Sequence, residues 1–173
     1  MMNVDNYVQE FVKNDYTRFT EFYNLTKKQV YFTALSILKD EALAEDVLQE
    51  TYVSFLENVE NYKLGSNVFS YLTVIARNKS INLYNERKRL VYTDDAFHTQ
   101  GVEVNFGENT NVKDILGLIT DDLSREIVTY HVILGYKFIE IAKILSMPLG
   151  TVLWRYNRTI KTLREKVGEF YDK

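Results

Sequence analysis

The sequence predicts an all-α protein made of two small helical domains joined by an acidic linker. Three observations predict it. Apolar residues recur at a helical period along most of the chain. Turn-forming residues are scarce, with one Pro and seven Gly in 173 residues, against base rates of roughly 5% and 7%. A central stretch loses the period and collects acidic side chains. At 46% hydrophobic and 26% charged residues, the composition is globular rather than disordered or fibrous.

Val4 to Val12 reads as a short first helix. Residues 16–38 carry Phe19, Phe22, Tyr23, Val30, Ala34, Leu35 and Leu38 at helical spacing, with a break near Asn24. Asp40 is placed to cap the next helix, and Glu41 puts negative charge in its first turn. That helix runs to about Val59 on the stripe Leu43, Val47, Leu48, Tyr52, Phe55 and Leu56. Asn61 to Ser66 interrupt the pattern, with Gly65 marking a turn. Ser66 or Asn67 then caps a helix reaching about Leu90, buried along Val68, Leu72, Ile75, Ala76, Ile81 and Leu83 or Tyr84. These four helices make a first domain over residues 1–90 around one core. A second domain covers 114–173. It opens on Ile115, Leu116, Leu118 and Ile119, and Ser124 caps a helix that Gly135 ends. Phe138 to Leu145 form a short helix, and Pro148 fits the first turn of the last one, which reaches about Val167.

Charge is distributed by segment. Residues 1–90 are net −1, residues 91–123 net −6 with Lys113 as their one basic residue, and residues 124–173 net +4. The acidic stretch reads as a linker over 91–113, or alternatively as a solvated loop of one domain. Each domain ends on a basic segment, 77–89 and 151–166, and each segment is net +4. Two basic helices suggest two contacts on one polyanion.

Several chemistries are excluded. Without Cys there is no disulfide, thiolate nucleophile or Cys-based zinc site, and two histidines, His98 and His131, do not make a multi-His metal site. No cofactor and no metal are expected. No apolar run reaches the roughly 20 residues of a membrane span, and Met1 to Asp5 lack the basic-then-apolar pattern of a signal peptide. A cytoplasmic protein without membrane insertion is expected.

Residues 138–160 fit a helix-turn-helix. Ala142 is small where two helices cross, Ile141, Leu145, Val152 and Tyr156 can close a core, and Ser146-Met147-Pro148 make the turn. If that turn needs a positive φ, Gly would relax there more easily than Ser146. The last helix offers Thr151, Leu153, Trp154, Arg155, Asn157, Arg158 and Lys161 to a major groove. A plain three-helix bundle with a solvated basic face is the competing reading.

In the first domain, Asp46, Gln49 and Glu50 are spaced i, i+3, i+4 and share one helix face, either a docking surface for a basic protein or a solvated face. Residues 61–89 interleave Asn61, Tyr62, Lys63, Phe69, Tyr71 and Tyr84 with Arg77, Asn78, Lys79, Asn82 and Asn85. Aromatic rings stack on unpaired bases while cations follow phosphates, which suits single-stranded DNA better than duplex. Phe69, Tyr71 and Tyr84 serve equally as core residues.

Ala44 to Glu50, Asn67 to Asn78 (NVFSYLTVIARN) and Ile139 to Arg155 (IEIAKILSMPLGTVLWR) resemble the bacterial extracytoplasmic-function (ECF) sigma factors, small two-domain initiation subunits of RNA polymerase. The resemblance covers roughly residues 16–90 and 114–167. It implies that the first domain melts promoters and the second is the helix-turn-helix domain, with core RNA polymerase and promoter DNA as partners. Asp46, Gln49 and Glu50 match the helix that docks on the beta-prime clamp helices, and the beta flap is implied as a further contact. Asn61, Tyr62, Lys63, Ser66, Asn67, Tyr71, Arg77, Asn78, Lys79 and Asn82 fall in the part that opens and reads the −10 element, where the Asn61–Asn67 loop holds a flipped base. Thr151, Leu153, Trp154, Arg155, Arg158 and Lys161 fall on the helix that reads the −35 element. Many members are held inactive by an anti-sigma protein. The family usually has Trp where Tyr71 stands, Gly at Ser146, and a Lys-Ser pair where Leu153-Trp154 stand.

The function read from the sequence is therefore a promoter-specificity factor of RNA polymerase without enzymatic activity of its own. The alternative is a stand-alone helix-turn-helix regulator of duplex DNA. A metal-dependent hydrolase lacks support, because no carboxylate cluster has an adjacent His or a phosphate-binding Gly loop.

Overall fold

The computed structural model of the chain describes residues 4–93 and 112–171. Eight α-helices lie among the described residues, and no strand. They are α1 (Asp5–Val12), α2 (Phe19–Leu38), α3 (Glu41–Glu57), α4 (Val68–Thr93), α5 (Val112–Gly117), α6 (Asp122–Val128), α7 (Phe138–Ile144) and α8 (Leu149–Tyr171). The chain divides into two compact units, Met1–Leu83 and Tyr84–Lys173. Of the expected linker, residues 94–111 lie outside the described residues, and with them Asp94, Asp95, Glu103 and Glu108.

In the first unit α1 to α4 surround an aromatic core. Phe22 is fully buried, edge-on to Phe11 with centroids 5.2 Å apart and stacked on Phe55 at 5.4 Å. Truncating such a ring to Ala costs about 3–5 kcal/mol. Four hydroxyls inside this unit bond back to their own helices, as Thr26, Thr33, Thr51 and Ser80 donate to the carbonyls of Phe22, Gln29, Val47 and Ala76. α2 runs without the break expected near Asn24. The Thr26 hydroxyl returns to the Phe22 carbonyl and lies 2.6 Å from the Tyr52 hydroxyl, while Asn24 faces solvent. Packing against α3 outweighs the weak helix preference of Asn24 and Thr26. Asp40 caps α3 by accepting from the Leu43 N–H at 3.1 Å, and Asn67 caps α4 by accepting from Ser70 at 3.2 Å.

The second unit is fastened by a buried arginine. Arg125, 3% exposed, donates to the carbonyls of Leu116 and Ile119 and pairs with Asp122 at 2.8 Å. It satisfies carbonyls that the end of α5 leaves open. The cap of α6 is Asp121, not Ser124. Asp121 accepts from the Ser124 N–H at 2.9 Å, which puts Ser124 inside the first turn. After α6 the chain widens into a π-helical turn, Thr129–Ile133, which Gly135 terminates at φ +74°. That turn sets His131 against Phe138 (4.0 Å, stacked) and Tyr156 (5.0 Å, edge-on), with Nδ1 donating to the Tyr136 carbonyl at 2.9 Å. Ile141, Leu145 and Val152 are buried, as a helix-turn-helix core requires. Ser146 has φ +52°, so the turn does place a side chain in the left-handed region. Pro148 precedes α8 and its carbonyl accepts from Val152, which makes it the flanking residue rather than part of the first turn.

Candidate nucleic-acid interface

The acidic triplet follows from the winding of α3. Val47 and Leu48 enter the core at 2% and 8% exposure, so Asp46, Gln49 and Glu50 are carried outward on the opposite side, and all three are exposed. Glu45 is exposed beside them. Glu50 also meets α4, with its carboxylate 3.5 Å from Lys79 Nζ.

Between α3 and α4 a short 3₁₀ turn, Val59–Asn61, leads into the loop 62–67. Gly65 turns the backbone at φ +83°, a conformation that costs a residue with a Cβ about 1 kcal/mol or more. Asn61, Lys63, Leu64, Ser66 and Asn67 are all exposed. Tyr62 is not: it is 5% exposed, with its ring edge-on to Tyr71 at 5.4 Å. Its hydroxyl lies 2.9 Å from Asp5 Oδ1 and 2.5 Å from the Ser66 carbonyl. Burial, and then the Asp5 hydrogen bond, push the phenol above its ordinary range. Tyr62 thus supports the loop from within, where no base reaches its ring. Tyr71 and Phe69 are half-buried against the core, while Tyr84 is exposed. Along α4, Asn78 and Asn82 are exposed and Arg77 and Lys79 half-exposed, followed by exposed Arg87, Lys88 and Arg89.

On α8, Trp154, Arg158 and Lys161 are exposed, and Thr151, Leu153 and Arg155 are half-buried. The Arg158 guanidinium sits 5.2 Å from the centroid of the Trp154 ring. Arg155 Nη1 donates to Asp121 Oδ2 at 2.8 Å. Trp154, Arg155, Arg158 and Lys166 line one side of a groove of about 410 Å³ closed by Leu118 and Ile119. Lys166 donates to the Leu118 carbonyl at 3.0 Å, so it braces α8 rather than facing outward.

The sequence therefore locates the acidic face and the basic helix faces, and the structure brings the first of these and the loop 61–67 together in one unit. Sequence reasoning missed Asp5, which lies far from the loop in sequence and carries no local signal. It also missed the inward turn of Tyr62. No group of three His, Cys, Asp or Glu side chains is gathered for a metal among the described residues. No described helix is long and apolar enough to cross a membrane.

Comparison with known proteins agrees with the all-helical fold. Residues 22–90 match the family described as sigma-70 region 2. The ECF RNA polymerase sigma factor SigW of Bacillus subtilis is 24% identical over 97% of this chain and 98% of its own length. SigM of the same organism, also an ECF RNA polymerase sigma factor, is 28% identical over 83% of this chain and 93% of its own. Among solved structures, the sigma factor RpoE of Bartonella quintana, in complex with the anti-sigma factor NepR, superposes with a TM-score of 0.72. That match has 22% identity and covers 87% of this chain and 96% of RpoE. CnrH in complex with the cytosolic domain of CnrY gives 0.65 at 19% identity, over 96% of this chain and 99% of CnrH. With an all-helical fold, an exposed acidic face on α3 and a region 2 match running from α2 into α4, the chain is similar to the ECF sigma factors over nearly its whole length and to sigma-70 region 2 over residues 22–90.

Proposed function

We propose that this chain is the promoter-specificity subunit of a bacterial RNA polymerase: it binds core polymerase, directs it to a set of promoters and helps open the −10 element. The observation that carries this reading lies in the first unit. An exposed carboxylate-rich face on α3 adjoins, through the Glu50–Lys79 contact, a helix whose exposed side carries Asn and basic residues. One surface suits a basic protein, the other a separated DNA strand.

Asp46, Gln49 and Glu50 dock the beta-prime clamp helices, and the beta flap receives the C-terminal domain. Asn61, Lys63, Ser66 and Asn67 face the displaced −10 strand from the loop. Arg77, Asn78, Lys79 and Asn82 continue that surface along α4. Tyr62 and Tyr71 hold it from behind. Thr151, Leu153, Trp154, Arg155, Arg158 and Lys161 meet the −35 element in the major groove. The domains run 1–90 and 114–173, with 91–113 as the linker. Extruding a base costs a few kcal/mol and stacking returns roughly 1–3 kcal/mol per base, so a few contacts decide which promoter opens. The net charge of −3 fits a subunit whose DNA affinity arises through polymerase. The factor has no enzymatic activity of its own, needs no cofactor and works in the cytoplasm. The complex of RpoE with the anti-sigma factor NepR supports regulation by a bound protein of the anti-sigma kind. The region 2 match disfavours a stand-alone duplex regulator.

The test is transcription in vitro with core polymerase on a genomic library, followed by mapping of start sites. Starts that share a −10 and a −35 sequence and require the added chain are expected. A chain that never joins core polymerase, or joins it and starts no RNA, overturns the proposal.

A further inference from the structure

The loop 62–66 is shaped from outside itself. Asp5, in the first turn of α1, accepts from the Tyr62 hydroxyl through Oδ1 and from the Gly65 N–H through Oδ2, each at 2.9 Å. These bonds reach across 57 and 60 positions of sequence. The Tyr62 hydroxyl is shared with the Ser66 carbonyl at 2.5 Å, so a single carboxylate and a single phenol fix both sides of the turn. A turn built on a glycine at φ +83° has other conformations close in energy, and two bonds to an ionised carboxylate select one of them. The Tyr62 ring transmits the hold inward, because it is buried edge-on to Tyr71 of α4. Lys63, Leu64 and Asn67 are left pointing to solvent. Core packing of α1 by Tyr7, Val8 and Phe11 does not require a carboxylate at position 5.

We propose that Asp5 is a positioning residue for promoter recognition: its carboxylate holds residues 62–66 in the shape that presents Lys63, Ser66 and Asn67 to the separated −10 strand. The first helix thereby sets the fidelity of a loop that begins more than fifty residues later. This rests on the reading of residues 61–82 as the −10 surface, and the test keeps the two apart.

Holoenzyme is assembled from core polymerase and full-length wild type, Asp5→Asn, Asp5→Ala, Tyr62→Phe or Asn67→Ala. Transcription is compared on a promoter recovered with the wild type and on copies with single −10 substitutions, and 2-aminopurine in the non-template −10 strand reports base extrusion. Asp5→Asn keeps the shape of the side chain but turns an amide N–H toward one of the two donors. Both Asp5 variants should lose discrimination between matched and substituted promoters about tenfold, the scale of one charge-assisted hydrogen bond, with a weaker 2-aminopurine response. Tyr62→Phe should lose less, and affinity for core polymerase should stay at the wild-type level. If Asp5→Ala does not fold, Asp5→Asn and Tyr62→Phe decide. An equal loss on all promoters, with discrimination intact, makes Asp5 merely structural and overturns the proposal. Wild-type discrimination in the Asp5 variants with loss in Asn67→Ala overturns it and leaves the −10 surface standing. Discrimination kept by Asn67→Ala as well removes both.

Discussion

Arg155 and Asp121 are joined through a single oxygen: Asp121 Oδ2 accepts from Arg155 Nη1 at 2.8 Å and from the Ser124 N–H at 2.9 Å. The atom that caps α6 therefore also anchors a guanidinium on α8, across 34 positions of sequence. An arginine that is half-buried and tethered in this way is pre-oriented, so less freedom is lost in the proposed contact with the −35 element.

The tether makes the second unit sensitive to acid. Hydrogen bonds from Ser124, with the Arg155 charge behind them, hold the Asp121 carboxyl below its usual range. A group whose folded pKa is depressed adds stability above the unfolded value, about 4 for Asp, and that contribution is lost as pH falls through the folded value. Thermal melts from about pH 5 downward should show falling stability through this carboxylate's titration. Asp121→Asn should flatten that dependence; the amide oxygen can still cap α6, so neutral-pH stability should fall only by the partly exposed ion pair with Arg155, about 0.2–1 kcal/mol. A pH profile identical to the wild type would contradict the assignment.

Asp46→Lys reverses the charge of an exposed side chain on the proposed docking face. The fold should survive, because surface substitutions usually stay within about 0.5 kcal/mol. Affinity for core polymerase should drop at least about tenfold, and transcription with it. Circular dichroism and a pull-down with core polymerase separate the two effects, and unchanged assembly would remove Asp46 from the interface.

Ser146→Gly should stabilise the chain. Ser146 sits at φ +52°, where a Cβ is strained and glycine is not. A gain of about 0.5–1 kcal/mol is expected in chemical denaturation, offset in part by the greater freedom of glycine in the unfolded chain. A loss of stability would show that the Ser146 side chain contributes more than its backbone strain costs.

Trp154→Ala should weaken −35 recognition without unfolding the helix-turn-helix. The ring is 56% exposed and carries the Arg158 guanidinium over its face at 5.2 Å. Removing it deletes the proposed apolar contact to DNA and frees Arg158 from its perch. Holoenzyme binding to promoters with an altered −35 element should discriminate about tenfold less well, with the melting temperature nearly unchanged. Full discrimination by the variant would leave Trp154 without a part in recognition.

Much of this was legible in the chain because helical periodicity and capping are local. Asp40 announces its helix by side-chain chemistry alone, the next cap narrows to Ser66 or Asn67, of which the structure uses Asn67, and Asp46, Gln49 and Glu50 fall on one face by counting. What stayed hidden depends on distant partners. Asn24 looks like a break until Thr26 is seen against Tyr52. Ser124 and Asp121 are both good caps three residues apart, and the choice falls to Asp121, whose carboxylate also has a partner on α8. Tyr62 looks like a stacking platform until Asp5 arrives from the other end of the domain. Arg125 counts as surface charge until the carbonyls of Leu116 and Ile119 claim it. The π-helical turn at Thr129–Ile133 has no sequence mark at all; the pairing of His131 with Phe138 and Tyr156 accompanies it.

The 3.5 Å approach of Lys79 to Glu50 removes a boundary that the two surfaces otherwise suggest. A protein seated on Glu50 has Lys79 at its rim, and a strand lying along α4 has Glu50 at its own. Changing the residue at position 79 therefore perturbs both neighbours together, and a defect measured there names neither until Glu50 has been changed beside it.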